Sequence, residues 1–190
     1  MRWLIREWPY ATLFAAGFLL AMTPFLAHLG LAFLLIWLQL PIYMVHQFEE
    51  HDQDRFRKFA NQLVAGGREA FTPAGIFVIN SAGVWGVDLL AIYLAHFVNP
   101  AFGLAAIYLA LVNGIVHVAA TLILRRYNPG LWTAITLLLP LGAWALAVVS
   151  AAARAGWQAH ALALGAAVLI HALIMVYVKL RLRKVPALPR

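Results

Sequence analysis

His46, Glu49 and Glu50 sit together in an otherwise apolar stretch, at offsets of three and four residues that a helix carries on one face. Farther along, Asn113 and His117 repeat the four-residue offset, and His171 is a lone imidazole in a third apolar stretch. Neutral imidazole and carboxylate are suitable ligands for zinc, iron or manganese. A catalytic metal usually takes three protein ligands and keeps one position open for water or substrate. His46, His117 and His171 with Glu49 or Glu50 would form such a set around a divalent metal, zinc or iron first. The remaining carboxylate would then act as general base on bound water. Without metal, the same residues form an acid–base pair able to move a proton on a lipophilic substrate, as in a double-bond isomerase. A bis-histidine haem site is a third arrangement, and it leaves both glutamates without a task. A plain structural role, helices tied together by hydrogen bonds, accounts for any one of these histidines more easily than for the whole set. Zinc-peptidase helices need a second histidine where Glu50 stands, and neither HExxH nor HxxEH occurs, so a protease is not predicted.

The elements that must position these residues are transmembrane helices. Of 190 residues, 64% are hydrophobic and only 11% are charged, against roughly a quarter charged in an ordinary soluble domain. Apolar runs long enough to cross a hydrocarbon core of about 30 Å recur along the whole chain, which excludes a soluble fold. The fold class expected is an all-α membrane helix bundle, a single domain over 1–190 with six transmembrane helices. The first segment runs from about Ala11 to His28, with Pro24 late in it and Gly30 at a tight turn. The second runs from Leu31 to about Glu50 and carries Pro41, which predicts a kink. In the polar stretch from His51 to Ala70, the run from Asp54 to Phe59 mixes basic and aromatic residues and predicts a short amphipathic helix at the interface. The third segment, Thr72 to Phe97, opens on a Thr-Pro start signal. Asn99-Pro100 turns into the fourth, which ends at Arg125-Arg126, and Tyr127-Asn128-Pro129-Gly130 breaks the chain again. The fifth and sixth run from Leu131 to Ala153 and from Trp157 to Leu180. The start, Met1 to Arg6, has the flavour of a signal peptide but no small-x-small cleavage site, and is read as a retained first helix.

Lysine and arginine alternate with this segmentation. The N-terminus holds two, the stretches after the second and fourth segments hold four and two, and the chain from Lys179 holds five, whereas the other three loops hold only Arg154. By the positive-inside rule both ends are expected on the cytoplasmic side. His46 precedes Arg55 by nine residues, and His117 and His171 precede Arg125 and Lys179 by eight each. At 1.5 Å per residue the three imidazoles then share one depth, roughly 12–14 Å from the cytoplasmic boundary. Asn80 falls at a similar level on the third segment. Asp88 is deeper and is expected to pair with a polar group such as Asn113, while His28, His96 and His160 read as interfacial residues at the outer ends. His51, Asp52 and Asp54 read as solvated loop residues, with His51 near enough to join the site. Because the basic residues gather at helix ends, the net charge of +7 signals topology and anionic lipid, including at Lys179, Arg181, Arg183 and Lys184; no nucleic-acid partner is expected. With no cysteine, disulfide and thiolate chemistry are excluded.

His46-Gln47-Phe48-Glu49-Glu50 resembles the signature of the HXXEE-domain family of integral membrane proteins. Asn113-Gly114-Ile115-Val116-His117 is similar to that family's downstream Asn-x-x-x-His element. The run from Tyr127 through Asn128-Pro129-Gly130 to Thr133-Ala134 and Pro140 is similar to its Tyr-x-Pro-Gly-x-x-Thr-Ala segment. The resemblance covers about Leu31 to the end of the sixth segment. It points to His46, Glu49, Glu50, Asn113 and His117 and names no reaction.

The function expected is a membrane-embedded enzyme with a His/Glu site, metal-dependent, performing hydrolysis, proton transfer or redox chemistry on a lipid or other hydrophobic small molecule. Its site would open toward the cytoplasmic leaflet of a bacterial inner (plasma) membrane. His46, Glu49, Glu50, His117 and His171 are the expected metal ligands, and Glu49, Glu50 and Asn113 the expected catalytic residues. Membrane lipids and a lipophilic substrate are the expected partners, and an oligomer is compatible with the pattern. From another class, a proton-coupled transporter or channel would use the same cluster as a relay, which needs polar steps reaching the outer face; Asp88, His96 and His160 supply few. A helper subunit of a larger membrane complex also suits the small size.

Overall fold

The computed structural model describes residues 2–184, and Met1 and Arg190, the outermost residues of the sequence expectations, lie outside them. The described chain is all-helical: α1 (Arg2–Met22, prolonged by a 3-10 stretch Thr23–Leu29), α2 (Leu31–His51), α3 (Arg55–Leu63), α4 (Pro73–Phe97), α5 (Pro100–Leu124), α6 (Leu131–Ala152) and α7 (Trp157–Leu182). Among the described residues, six helices, all but α3, are long and apolar enough to cross a membrane. In that environment every backbone polar group must be satisfied within the segment, which helices alone achieve without closing a barrel.

α1 begins well before the apolar run that the sequence marks. The reason is Trp8, which is buried and packs its indole against His51, Phe77 and Trp85, so the polar first turns are held against α2 and α4. α3 is the expected amphipathic helix. Phe56 and Ala60 turn inward to a small core with Phe71 and Ile76, while Arg57 pairs outward with Asp54 and with Glu69. α4 starts as its Thr-Pro signal indicates, with the Thr72 hydroxyl accepting from the Gly75 N–H at 3.0 Å and Pro73 in the first turn.

The bundle divides into two halves along its length. Leu35, Ile36, Leu104, Ile107, Ala145 and Val149 close one half as an apolar core between α2, α5 and α6. The other half, at the basic ends of the helices, is where α2, α5 and α7 carry their polar residues. Two π turns mark it, Ile79–Trp85 within α4 and Ala134–Leu138 within α6. Such wide turns gather at functional sites because they shift which residues share a face. In α4 the shift lets Asn80 and Trp85 both reach one side chain of α2: Trp85 Nε1 donates to Gln47 Oε1 at 2.6 Å and Gln47 Nε2 donates to Asn80 Oδ1 at 2.8 Å.

Candidate functional site

Glu50 lies at the centre of this half, buried at 7% exposure. Its carboxylate faces three imidazoles: His46 Nε2 at 3.7 Å, His117 Nε2 at 3.6 Å and His51 Nε2 at 3.2 Å. None of the three contacts has hydrogen-bond geometry, and His51 Nε2 is without a hydrogen-bond partner among the described residues. The His46 and His117 rings meet edge to face with centroids 4.8 Å apart. His46, Glu50 and His117 are all buried, each offers a ligand atom, and these atoms lie within 4.8 Å of one another, so the trio could hold a metal ion.

A second set of contacts fixes the His46 ring. Its Nδ1 is 2.8 Å from Thr133 Oγ1, and Asn113 Nδ2 lies 2.9 Å from its Nε2. Thr133 Oγ1 in turn donates to Glu49 Oε2 at 2.5 Å. An amide N–H can only donate, so the network assigns the lone pair to Nε2 and the proton to Nδ1. That is the tautomer a metal-binding histidine needs, with Nδ1 donating toward a carboxylate, here through a threonine, and with the Nε2 lone pair held by the Asn113 amide, which a metal ion would have to displace.

Glu49 stands apart from the trio. Consecutive helical residues are about 100° apart, so when Glu50 faces α5 its neighbour turns to α6. There Glu49 accepts from Tyr127 Oη at 2.6 Å, from the Thr133 and Trp132 N–H groups at 2.7 and 3.2 Å, and from the Thr133 hydroxyl. Glu49 thus caps the N-terminus of α6, whose first N–H groups have no partner within their own helix. Burial, followed by the hydrogen bond to Glu49, pushes the Tyr127 phenol up to about 12. His171, expected in the ligand set, reaches the same level but meets Asn113 Oδ1 at 3.4 Å and its own Ala167 carbonyl at 2.8 Å. The structure therefore brings together three of the five expected ligands and leaves Glu49 and His171 beside them.

Gly130 seals the site from the loop side. It has φ of 96°, and a Cβ there would lie 2.8 Å from Cε1 of both His46 and His117. His117 Nδ1, on that same side, has no hydrogen-bond partner among the described residues.

On their other side Glu50 and His117 border a cavity of about 280 Å³ between α3, α4, α5 and α7. Glu50, His51, His117, Asn113, His171, Asn80 and Asn128 give it a polar edge, and Tyr43, Phe56, Phe59, Leu109, Ile170 and Ile174 among others make the rest apolar. A mostly apolar pocket with a few convergent polar groups is the usual form of a small-molecule site.

Several expectations need correcting. His51 is not solvated; it is buried at 5% exposure between Trp8, Phe56 and Glu50. Asp88 does not pair with Asn113, whose amide is engaged by His46 and His171; both Asp88 oxygens are buried without a hydrogen-bond partner among the described residues. His160 has a partner, the Tyr108 hydroxyl at 3.0 Å. Reading chemistry-bearing residue types alone missed Thr133, Tyr127, Gly130 and Gln47, although the first three lie in the Tyr127–Ala134 segment that resembles a family element.

The family described as "Protein of unknown function with HXXEE motif" matches residues 37–145, which include His46, Glu49, Glu50, Asn113, His117 and the Tyr127–Thr133 segment and stop before His171. No curated protein and no solved structure matches the chain.

Proposed function

The chain belongs to the HXXEE family, and we propose that it is a membrane-embedded enzyme, dependent on a divalent metal, that acts on a lipid or other hydrophobic small molecule. The observation that carries this reading is the buried Glu50 carboxylate facing His46 Nε2 and His117 Nε2 at 3.7 and 3.6 Å beside an apolar cavity. Two imidazoles and a carboxylate suit zinc and iron, and their ligand atoms, within 4.8 Å of one another, would draw together slightly to the about 3.3–3.6 Å that zinc bonds of about 2.0–2.2 Å at tetrahedral angles set. His46, Glu50 and His117 would hold the metal, which when bound supplies a Lewis acid for a water or a substrate oxygen. Asn113 and His171 edge the cavity and would contact substrate. Glu49 would act through Thr133 to orient His46. Hydrolysis and proton transfer are the reaction classes this arrangement supports, and the basic helix ends favour a site in the cytoplasmic leaflet.

Metal analysis of the purified protein tests the reading. Stoichiometric zinc or iron that is lost in His46→Ala and His117→Ala and kept in His171→Ala supports it. Protein that takes up neither metal overturns it.

A proton relay in a transporter is the second reading. It is favoured by the continuous contacts from Glu49 through Thr133, His46 and Asn113 to His171, which cross four helices. Beyond that chain the next buried acid, Asp88, has no hydrogen-bonded link among the described residues, which ranks the relay second. Proton flux in proteoliposomes that depends on Glu50 and needs no turnover would reverse the order.

A further inference from the structure

Two cavities share a wall of two side chains. Beside the apolar chamber, a second cavity of about 360 Å³ lies at the basic end, lined by Arg6, Tyr10, Gln53, Asp54 and Arg57. His51 and Ile76 line both. The two differ in character. The chamber is walled by aliphatic and aromatic groups, and its wall extends to the outer face of the bundle, where Val64, Val116 and Met175 are nearly half exposed. Val116 and Met175 lie on spanning helices, so in a bilayer this part of the rim faces acyl chains and opens the chamber sideways to the lipid. The second cavity carries cations. Arg57 is neutralised by Asp54 and Glu69, whereas Arg6 has no ion pair among the described residues.

We propose that the two cavities together hold one single-chain amphiphile with an anionic head group, its chain in the apolar chamber and its head at Arg6. Size favours one chain over two, because about 280 Å³ equals roughly nine water volumes, and the far end of a longer chain lies in the sideways opening at Val116 and Met175. Polarity sets the direction, since a chain gains from leaving water at about 25 cal/mol per Å² and an anionic head gains from a cation without an acidic partner. The junction of head and chain passes His51, which touches Glu50 at 3.2 Å, so the bonds nearest the head group are those presented to the trio. The assignment rests on the proposed enzymatic reading only for what happens at that junction; occupancy is a separate matter and is read separately.

The probe is palmitate carrying a diazirine in its chain, cross-linked by light to the full-length protein in nanodiscs and mapped by mass spectrometry. Labels are expected on the chamber wall at Phe59, Val116 and Met175, displaced by unlabelled palmitate. Ala120→Trp, which fills the chamber, reduces them to background, and Leu122→Trp, on the lipid-facing side of the same helix, leaves them in place. Arg6→Gln lowers labelling by the carboxylate probe about two- to fivefold, the range of one exposed ion pair, and leaves the corresponding fatty alcohol probe unchanged. Labels spread over Leu122, Ile123 and other lipid-facing residues, indifferent to competitor, overturn the chamber as a chain site; since the competition uses unaltered protein, this outcome stands whether or not Ala120→Trp folds. Equal labelling by acid and alcohol in Arg6→Gln and the parent protein overturns the head-group assignment. Because labelling needs neither metal nor turnover, its failure leaves the metal reading intact, and metal-free protein leaves the labelling result intact.

Discussion

Thr133→Val removes one oxygen while keeping the shape of the side chain, and that oxygen links His46 to Glu49. In the folded protein Thr133 Oγ1 accepts a hydrogen bond from His46 Nδ1–H at 2.8 Å, and its hydroxyl donates one to Glu49 Oε2 at 2.5 Å. The loss on the Glu49 side is small, because the carboxylate keeps the Tyr127 hydroxyl and the Trp132 and Thr133 N–H groups. The loss on the His46 side is larger, since the ring is fully buried and its Nδ1–H is left without an acceptor, at about 1–3 kcal/mol. Freed of that bond, the ring no longer has one fixed tautomer and orientation. Losing the hydrogen bond that orients a ligand histidine lowers metal affinity about 10- to 100-fold, which is about 1.4–2.7 kcal/mol of binding. Competition against a chromophoric chelator in detergent measures zinc affinity, and thermal unfolding of the metal-free protein measures stability. Thr133→Ser keeps the hydroxyl and should stay within about threefold of the parent, a difference under 1 kcal/mol. Unchanged zinc affinity in Thr133→Val refutes the reasoning. So does an equal loss in the valine and serine variants, which would place the effect in the methyl group rather than the hydrogen bonds.

Gly130→Ala places a methyl 2.8 Å from both histidine rings in a left-handed backbone, so it should lose stability by more than the about 1–2 kcal/mol of backbone strain and lose metal as well. Gly66→Ala, with φ of 60° and open space around it, is the control that shows the strain alone in thermal unfolding. Tyr127→Phe bears on pH: the phenol is raised from 10.0 to about 12 in the folded chain, so its contribution is complete below pH 10 and fades as pH rises toward about 12. The parent protein should therefore lose stability across that window more steeply than the phenylalanine variant, modestly because Tyr127 is 43% exposed. Since the chain contains no cysteine, Arg154→Cys and Lys184→Cys report orientation directly. In intact cells an impermeant maleimide should reach the first and react with the second only after permeabilisation.

The bundle and the depth of its polar residues were legible because both follow from one-dimensional rules. Apolar length sets the spans, basic residues close them, and 1.5 Å per residue ranks His46, His117 and His171 at a common level, where the structure has all three bordering or forming one site. Direction within that level was less legible. Offsets of three and four suggest that Glu49 and Glu50 share a face, but adjacent residues diverge by about 100°, and only the position of α6 decides which carboxylate it draws away. The π turn in α4 was invisible for a related reason: a single extra residue per turn leaves no trace in hydropathy, yet it decides that Asn80 and Trp85 converge on Gln47. His51 was misread because a histidine beside Asp52 and Asp54 looks solvated; Trp8, supplied by a helix that starts earlier than its apolar run, covers it.

The polar groups of this half fall into two sets that differ in how well they are paired, and the difference bears on function. Gln47, Asn80 and Trp85 complete one another's hydrogen bonds, and Glu49 is saturated by donors from α6 and the loop before it. Side chains that only tie helices together have this form, because an unpaired polar atom in hydrocarbon costs several kcal/mol. Glu50, His51 and His117 do not have it: three imidazole nitrogens ring one carboxylate at 3.2–3.7 Å without a hydrogen bond among them. Rotation of a single side chain to close one of those contacts would be the cheaper structural solution. The fully paired frame opposes it, since Asn113 and Thr133 pin His46 and Gly130 backs both rings. A rigid, satisfied shell that holds an unsatisfied centre open beside an apolar chamber is what a ligand-binding site requires and what helix packing alone does not.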